Sequence, residues 1–337
     1  MTLETVSLGG TGLEVSRLAM GTWRFGRRLI DGEERYDSDD GIVETNEERA
    51  ADLLDAYAER GGNFIDTADK YGDGKSEEWI GNWLADRDRE DFIIATKIHR
   101  PRRPGDPNGE GLNRKHLRRQ IDISLDRLGT DYVDLLYCHR WDDRTPAEEF
   151  MRTLDGLVSE GKVNYLGISS GSPDEWKIVK ANEIARRRGY EPFTVTQPRY
   201  NLVDREIEAN YMDMCRDYGL GIVPWSPLAW GFLTGKYSRD RDFPDDSTAA
   251  ADARFKSHYL TEENFDVLEV TTAIAEEVGA KVAHVALAWQ LHHPDVTAPI
   301  VGASTVEQLE ENLDADDVSL TDDQFARLDE AKTASLV

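Results

Sequence analysis

Short, nearly continuous apolar runs alternate along the chain with stretches whose apolar residues recur every three or four positions. The runs fall at 18–21, 63–66, 92–97, 132–139, 165–169, 194–197, 221–225 and 298–302. They show no polar alternation, as expected of strands buried on both faces of a parallel sheet. The helix-period stretches lie at 46–60, 76–86, 114–128, 147–160, 174–188, 205–218, 265–277 and 306–313, and a glycine follows several of them as a stop. Eight strand–helix units without a linker predict a single α/β domain over residues 1–337, closed as a (β/α)8 TIM barrel. The alternative is a doubly wound sheet. That architecture wants a Gly-x-Gly-x-x-Gly turn after its first strand, and the sequence has none. Outside the repeat, residues 5–16 read as a β-hairpin covering the bottom of the barrel. Residues 226–264 read as a long loop after strand seven. Extra helices are expected at 281–292 and, capped by Thr321, at 321–332.

Composition narrows the class without altering the fold. Of 337 residues 39% are hydrophobic, enough for a packed core. Two cysteines, Cys138 and Cys215, support neither a disulfide framework nor a four-thiolate zinc site. No run approaches the ~20 apolar residues of a membrane span, and the start lacks the pattern of a secretory signal, so a cytoplasmic protein is expected. With 66 acidic and 40 basic side chains the net charge is −26, which disfavours a nucleic-acid partner. Only 11 of the basic residues are lysines, and the acids are scattered. This surface suits hydration in concentrated salt, where charges are screened within ~3 Å at 1 M. A halophilic origin is the expectation, with an acidic mesophile as the alternative.

In a parallel barrel the C-terminal ends of the strands share one mouth. Strand two ends at Asp66 and its loop brings Tyr71; strand three ends at Lys97 and strand four at His139. A lysine closing an apolar strand needs an anion beside it, and Asp66 is on the neighbouring strand. Such a cation is expected to lower the Tyr71 pKa from ~10 towards neutrality and make it a usable proton donor, with His139 hydrogen-bonding a substrate oxygen. One His and one Asp beside a Lys do not make a metal site, and no serine or cysteine nucleophile has an adjacent base. The group suits proton delivery to a carbonyl oxygen, whose reduction also requires a hydride carrier such as a nicotinamide.

The segments 64–72, 76–78, 95–97, 132–140, 161–169 and 225–237 together resemble the signature segments of the aldo-keto reductases over essentially the whole chain. Within that superfamily the look is that of bacterial-type general reductases and, through 302–312, of potassium-channel β subunits. The resemblance implies Tyr71 as general acid, Lys97 and Asp66 as its tuning pair, and His139 orienting the carbonyl. It also implies an NAD(P)H site. Trp225 would stack on the nicotinamide, while Ser169, Ser170 and Gln197 would face its carboxamide. Thr22 and Trp23, with Asp66, would line the hydride-transfer region. Ser226, Leu228 and Lys236 would wrap the pyrophosphate, and Gly302, Ser304, Gln308, Glu311 and Asn312 would hold the adenosine end.

Two positions depart from the family pattern: Ser170 stands where many relatives carry a larger residue, and Gln308 where many carry the arginine of a 2′-phosphate clamp. Channel-type relatives share that glutamine and bind NADP, so NADP(H) is favoured and NAD(H) remains open, with Arg254 a candidate substitute cation. The loop 25–45 is long and acidic (Asp31, Glu33, Glu34, Asp37, Asp39, Asp40), whereas Arg100, Arg102, Arg103, Arg114 and Lys115 form a basic island. That island either recognises a carboxylated or phosphorylated carbonyl or pairs with the acidic loop. The expected activity is reduction of an aldehyde, ketone or sugar carbonyl, or the reverse. Two alternatives are a nicotinamide-sensing subunit of a membrane partner and a metal-dependent barrel hydrolase. Oligomeric state is not legible.

Overall fold

The computed structural model describes residues 2–30, 33–34, 42–43, 45–101, 105–239 and 253–332. An antiparallel hairpin, β1 (Thr5–Ser7) and β2 (Glu14–Ser16), precedes the first strand of the main sheet, β3 (Ala19–Gly21). In the loop after β3, the strands β4 (Arg28–Ile30), β5 (Glu33–Glu34) and β6 (Ile42–Val43) form a small antiparallel sheet, which the hydrophobic pattern did not anticipate. Then come α1 (Glu47–Glu59), β7 (Phe64–Asp66), α2 (Lys75–Leu84), β8 (Ile93–Ile98), α3 (Arg114–Leu128), β9 (Val133–Cys138), α4 (Ala147–Ser159), β10 (Val163–Ile168), α5 (Glu175–Arg188), β11 (Phe193–Thr196), α6 (Tyr211–Tyr218) and β12 (Gly221–Ile222). The chain finishes with α7 (Ala253–Tyr259), α8 (Glu262–Val278), α9 (Val282–His292), β13 (Ile300–Val301), α10 (Val306–Leu313) and α11 (Asp322–Glu330).

Eight strands pair in parallel in the order β12-β11-β10-β9-β8-β7-β3-β13. A bridge from Ile222 to Val296 and the bond from Ile300 N to the Pro224 carbonyl (2.8 Å) join the two edges, so the sheet closes into the expected (β/α)8 barrel. The closing strands are only two residues long; Pro299 directly precedes β13 and Pro224 lies two residues past β12, and neither has an N–H to donate. The other strands and the outer helices sit where the periodicity puts them. The 205–218 stretch is the exception, splitting at Ala209–Asn210 into a single turn and α6. Within 226–264 the predicted loop contains α7. The two extra helices are present as α9 and α11, and Thr321 forms a full capping box with Gln324.

The core has two layers. Larger side chains fill the space between sheet and helices, while Phe64, Ala95, Leu135, Tyr137, Val195 and Val223 fill the barrel interior. Leu8 and Val15 of the hairpin belong to that interior cluster and are fully buried, so the hairpin is the floor of the barrel. Its seat depends on Gly9, at φ +57°: a Cβ there would lie 2.4 Å from the Gly221 nitrogen. Gly9→Val is therefore expected to destabilise the fold by about 2–4 kcal/mol through combined strain and overlap, read as a fall in the denaturant midpoint with unchanged slope. Among the described residues, no helix is long and apolar enough to cross a membrane.

Candidate active site

The strand ends bring four ionisable residues together. Lys97, in β8 and fully buried, donates from Nζ to Asp66 Oδ2 (2.5 Å), to the Thr67 carbonyl (2.9 Å) and to the Tyr71 hydroxyl (3.2 Å). Gln197, just past β11, donates from Nε2 to the other oxygen of Asp66 (2.8 Å). The Asp66 carboxylate is thereby satisfied on both oxygens, as a buried charge must be. His139 follows β9, its ring edge-on to Tyr71 with centroids 6.0 Å apart. Its Nδ1 is buried with no hydrogen-bond partner among the described residues. Tyr71 is aimed by the turn Tyr71–Gly74, where Gly72 takes φ +55° and a Cβ would come within 2.3 Å of the Phe25 carbonyl oxygen. Beneath them the hydroxyls of Thr22, Ser76 and Thr67 are linked: Ser76 Oγ lies 2.7 Å from Thr22 Oγ1 and 2.8 Å from Thr67 Oγ1, and Thr22 donates to the Asp66 carbonyl (3.0 Å).

The proton affinities correct one expectation. Tyr71 is not acidified: burial raises its pKa above the ordinary 10.0, and Lys97, opposed by Asp66, does not bring it back. The reason is geometric. The ammonium lies closer to the carboxylate than to the phenol, so most of its field is met by Asp66. Burial also lifts the Asp66 carboxyl, against Lys97 and Gln197. Burial pulls Lys97 down, but Asp66 and Tyr71 outweigh it and hold the ammonium charged. His139 is pushed well below 6.5, first by burial and then by Lys97, Arg100, His99 and Arg140. It is a neutral imidazole.

A groove of about 1590 Å³ opens above these residues and runs across the mouth to the loops after β12 and β13. Trp23, Asp66, Tyr71, His139, Ser169, Ser170, Gln197, Trp225, Ser226, Leu228, Lys236, Gly302, Ser304, Gln308, Glu311 and Asn312 all line it. Trp225 leaves 36% of its surface exposed on the wall, with the Arg199 guanidinium 5.9 Å from its ring centroid. Among the described residues, four that are not glycine have left-handed backbones: Asp73, Ser226, Ala229 and Trp230. Each lies in one of two loops that form the groove, and such strain of about 1–3 kcal/mol per residue concentrates at working sites. α7 is fastened to this wall through Asp204, which meets His258 Nε2 (2.7 Å) and accepts from the Tyr259 hydroxyl (3.0 Å).

Several sequence assignments are altered. Thr22 is fully buried and faces the hydroxyl cluster, not the groove. The Ser170 hydroxyl is engaged by Asp174 (3.1 Å). Gln308 turns its Oε1 onto the Ser304 N–H (3.0 Å), forming the turn before α10. Of Arg254 only the backbone, in α7, is described. Arg102 and Arg103 lie outside the described residues, as do Asp31, Asp37, Asp39 and Asp40; of Glu33 and Glu34 the backbone alone is described. The basic island disperses: Arg100 lines the groove, but Arg114 and Lys115 begin α3 away from it.

Sequence reasoning missed Arg24, whose Nη1 donates to Ser304 Oγ (3.1 Å) and so joins the first loop to the last. It also missed Arg27, stacked 3.8 Å from the Trp23 ring centroid, and the groove residues Arg140, Trp141 and Trp230. A hint lay in Trp23-Arg24 and His139-Arg140-Trp141, where arginines and tryptophans directly follow strand ends.

Residues 17–333 match the aldo/keto reductase family. The chain is 37% identical to the uncharacterized oxidoreductase YrpG of Bacillus subtilis, covering 94% of this chain and 92% of that protein. It is 35% identical to a norsolorinic acid reductase of Emericella nidulans, over 95% of this chain and 79% of that one. A probable voltage-gated potassium channel subunit beta of Oryza sativa is 36% identical over 94% of this chain and 92% of its own length. With a closed parallel barrel, a buried Lys–Asp pair under a tyrosine and a long groove beside them, the chain belongs to the aldo/keto reductase family and is an oxidoreductase.

Proposed function

We propose that the protein reduces an aldehyde or ketone to the alcohol, or runs the reverse reaction, with Tyr71 as proton donor and NADP(H) as the favoured cofactor. The observation carrying this reading is the Lys97 ammonium, bound at once to the Asp66 carboxylate and the Tyr71 hydroxyl at the head of the groove. A nicotinamide dinucleotide bound in the groove supplies the hydride. The fit rests on the groove's size, on the half-exposed Trp225 and on the polar atoms of the 302–312 turn. Neutral His139 donates a hydrogen bond to the carbonyl oxygen and fixes it beside the phenol. As the carbonyl carbon is reduced, its oxygen becomes alkoxide-like, a stronger base than tyrosinate, and takes the Tyr71 proton. Lys97 then stabilises the tyrosinate through the hydrogen bond it already makes. A high phenol pKa serves this role by keeping the proton in place across the working range.

The Lys236 ammonium and the Ser226–Leu228 backbone are suited to hold the pyrophosphate. Arg24, beside Ser304, supplies a cation where Gln308 does not, which favours the 2′-phosphate form. Titration with NADPH and NADH, at low and molar KCl, should quench tryptophan emission through Trp225. NADPH is expected to bind at least about tenfold more tightly, and Arg24→Gln to remove most of that margin. Absence of quenching and of any turnover across a carbonyl panel would end the proposal. Turnover also decides against a purely sensing role of the kind the channel-subunit relative suggests.

The pH profile follows from two shifts. The folded pKa of Tyr71 lies above 10.0 and that of His139 far below 6.5, so neither group changes charge between those values. The reductive kcat should be flat from pH 6.5 to 10 and fall only above it, as the phenol loses its proton. A titration centred near neutrality would show that Tyr71 is acidified after all.

A further inference from the structure

We propose that the preferred substrate carries an anionic group, a carboxylate or phosphate, beside its carbonyl-bearing part, and that Arg140 is the residue that meets it. The inference rests on the oxidoreductase reading and specifies its substrate class. Among the described residues, eight cationic side chains and five carboxylates line the groove, in a chain where acids outnumber bases 66 to 40. Four of those five carboxylates are already taken. Asp66 is bound by Lys97 (2.5 Å), Asp143 and Asp174 by Lys177 (3.3 and 2.9 Å), and Glu311 by Lys281 (2.8 Å). Lys177 is itself one of the eight cations and Arg199 lies 3.4 Å from Asp204, so the described lining carries a modest excess of positive charge.

The positive charge divides into two groups. Lys236 and Arg24 lie towards the loops after β12 and β13, where the phosphates of a dinucleotide belong. Arg140 and Arg100 lie at the other end, following β9 and β8, beyond the reach of those loops in the barrel order. Arg140 directly follows His139 and is exposed. Among the described residues no carboxylate stands within ion-pair distance of it. Both arginines line the groove with His139, and Arg140 is its neighbour in the chain, so they stand on the side of the mouth where the proposed carbonyl oxygen would sit. Trp141, two residues after His139, lines the groove with them and provides a flat wall for the carbon skeleton. A guanidinium that ends a strand, faces an open groove and can present two parallel N–H groups is suited to a carboxylate or phosphate. A chain with net charge −26 repels small anions at long range, so a local cation is what would turn that repulsion into selection.

The test compares three aldehydes on one scaffold: 4-carboxybenzaldehyde, 4-formylphenyl phosphate and the neutral methyl 4-formylbenzoate. In the wild-type protein kcat/KM for at least one anion should exceed that of the ester about tenfold, mostly through KM, and the ratio should fall as KCl rises. Whichever anion leads identifies carboxylate or phosphate as the partner. Arg140→Gln should cut the anion-to-ester ratio about tenfold and Arg140→Lys should restore part of it. A ratio near one in wild type, or one that Arg140→Gln leaves unchanged, overturns the proposal and returns the arginines to internal pairing, with carbonyl reduction still standing. Should none of the three be turned over, binding of 4-carboxybenzoate against benzamide to the NADP-saturated protein, read by fluorescence, decides between the outcomes. Equal affinity refutes the anion site. Tighter carboxylate binding without turnover supports it while counting against the reductase reading.

Discussion

Tyr71→Phe should lower kcat for carbonyl reduction by on the order of 10²–10⁴-fold while moving the NADPH Kd by less than about twofold. In the proposed mechanism this hydroxyl is the group, among the described residues, that gives a proton to the carbonyl oxygen. Lys97 is pinned by Asp66 and the Thr67 carbonyl, and His139 has its basicity suppressed by burial and four cationic or basic neighbours. Removing the hydroxyl leaves the fold intact, because Lys97 keeps those two partners and the ring keeps its edge contact with His139. Single-turnover kinetics with prebound NADPH separates the chemical step from cofactor binding. A rate within a factor of about three of wild type would place the acid elsewhere.

Lys97→Met should cost about 3–5 kcal/mol of stability as well as most of the activity, because it strands the Asp66 carboxylate in the barrel with Gln197 as its remaining side-chain donor. The double variant Asp66→Asn, Lys97→Met should recover most of that stability and none of the activity, since it removes both charges together. The sign of the pH effect follows. Burial already lifts the Asp66 pKa, and without the ammonium it rises further, so the protonated carboxyl is the form the folded state tolerates. The deficit of Lys97→Met should therefore grow as pH rises above the ordinary carboxyl value of 3.8 and shrink in acid. Denaturant melts at three pH values check this. A pH-independent loss, equal in the single and double variants, would show that packing and not charge holds the pair together.

Much of the fold was legible because both faces of each barrel strand are buried, so whole strands read as apolar runs and the helices between them show one apolar stripe. The runs ending in Asp66, Lys97 and His139 even announced which residues share the mouth. What escaped has identifiable causes. β4, β5 and β6 lie in a polar, acidic loop where no hydrophobic pattern marks pairing. The shortness of β12 and β13 goes with nearby prolines, whose effect on a ladder depends on which neighbour needs the missing donor. Thr22 stands beside Trp23 in sequence, yet one turns down into hydroxyls and the other out to the groove, a distinction set by the turn and not by composition. The pKa of Tyr71 was misjudged because the spacing showed that a lysine would be near, and could show neither how deeply the phenol would be buried nor that Asp66 would hold the lysine more closely. Arg24 joins loops 280 positions apart, a contact that local pattern does not carry.

The stopper formed by Leu8 and Val15 bears on traffic through the barrel. With the lower end sealed and the ammonium under Tyr71 shut off from water, a proton donor at Tyr71 would be recharged by the same doorway through which product would depart. On the proposed mechanism, recharging the donor would then compete with departure of the alcohol, and a slow-leaving product would hold the cycle with the tyrosine ionised.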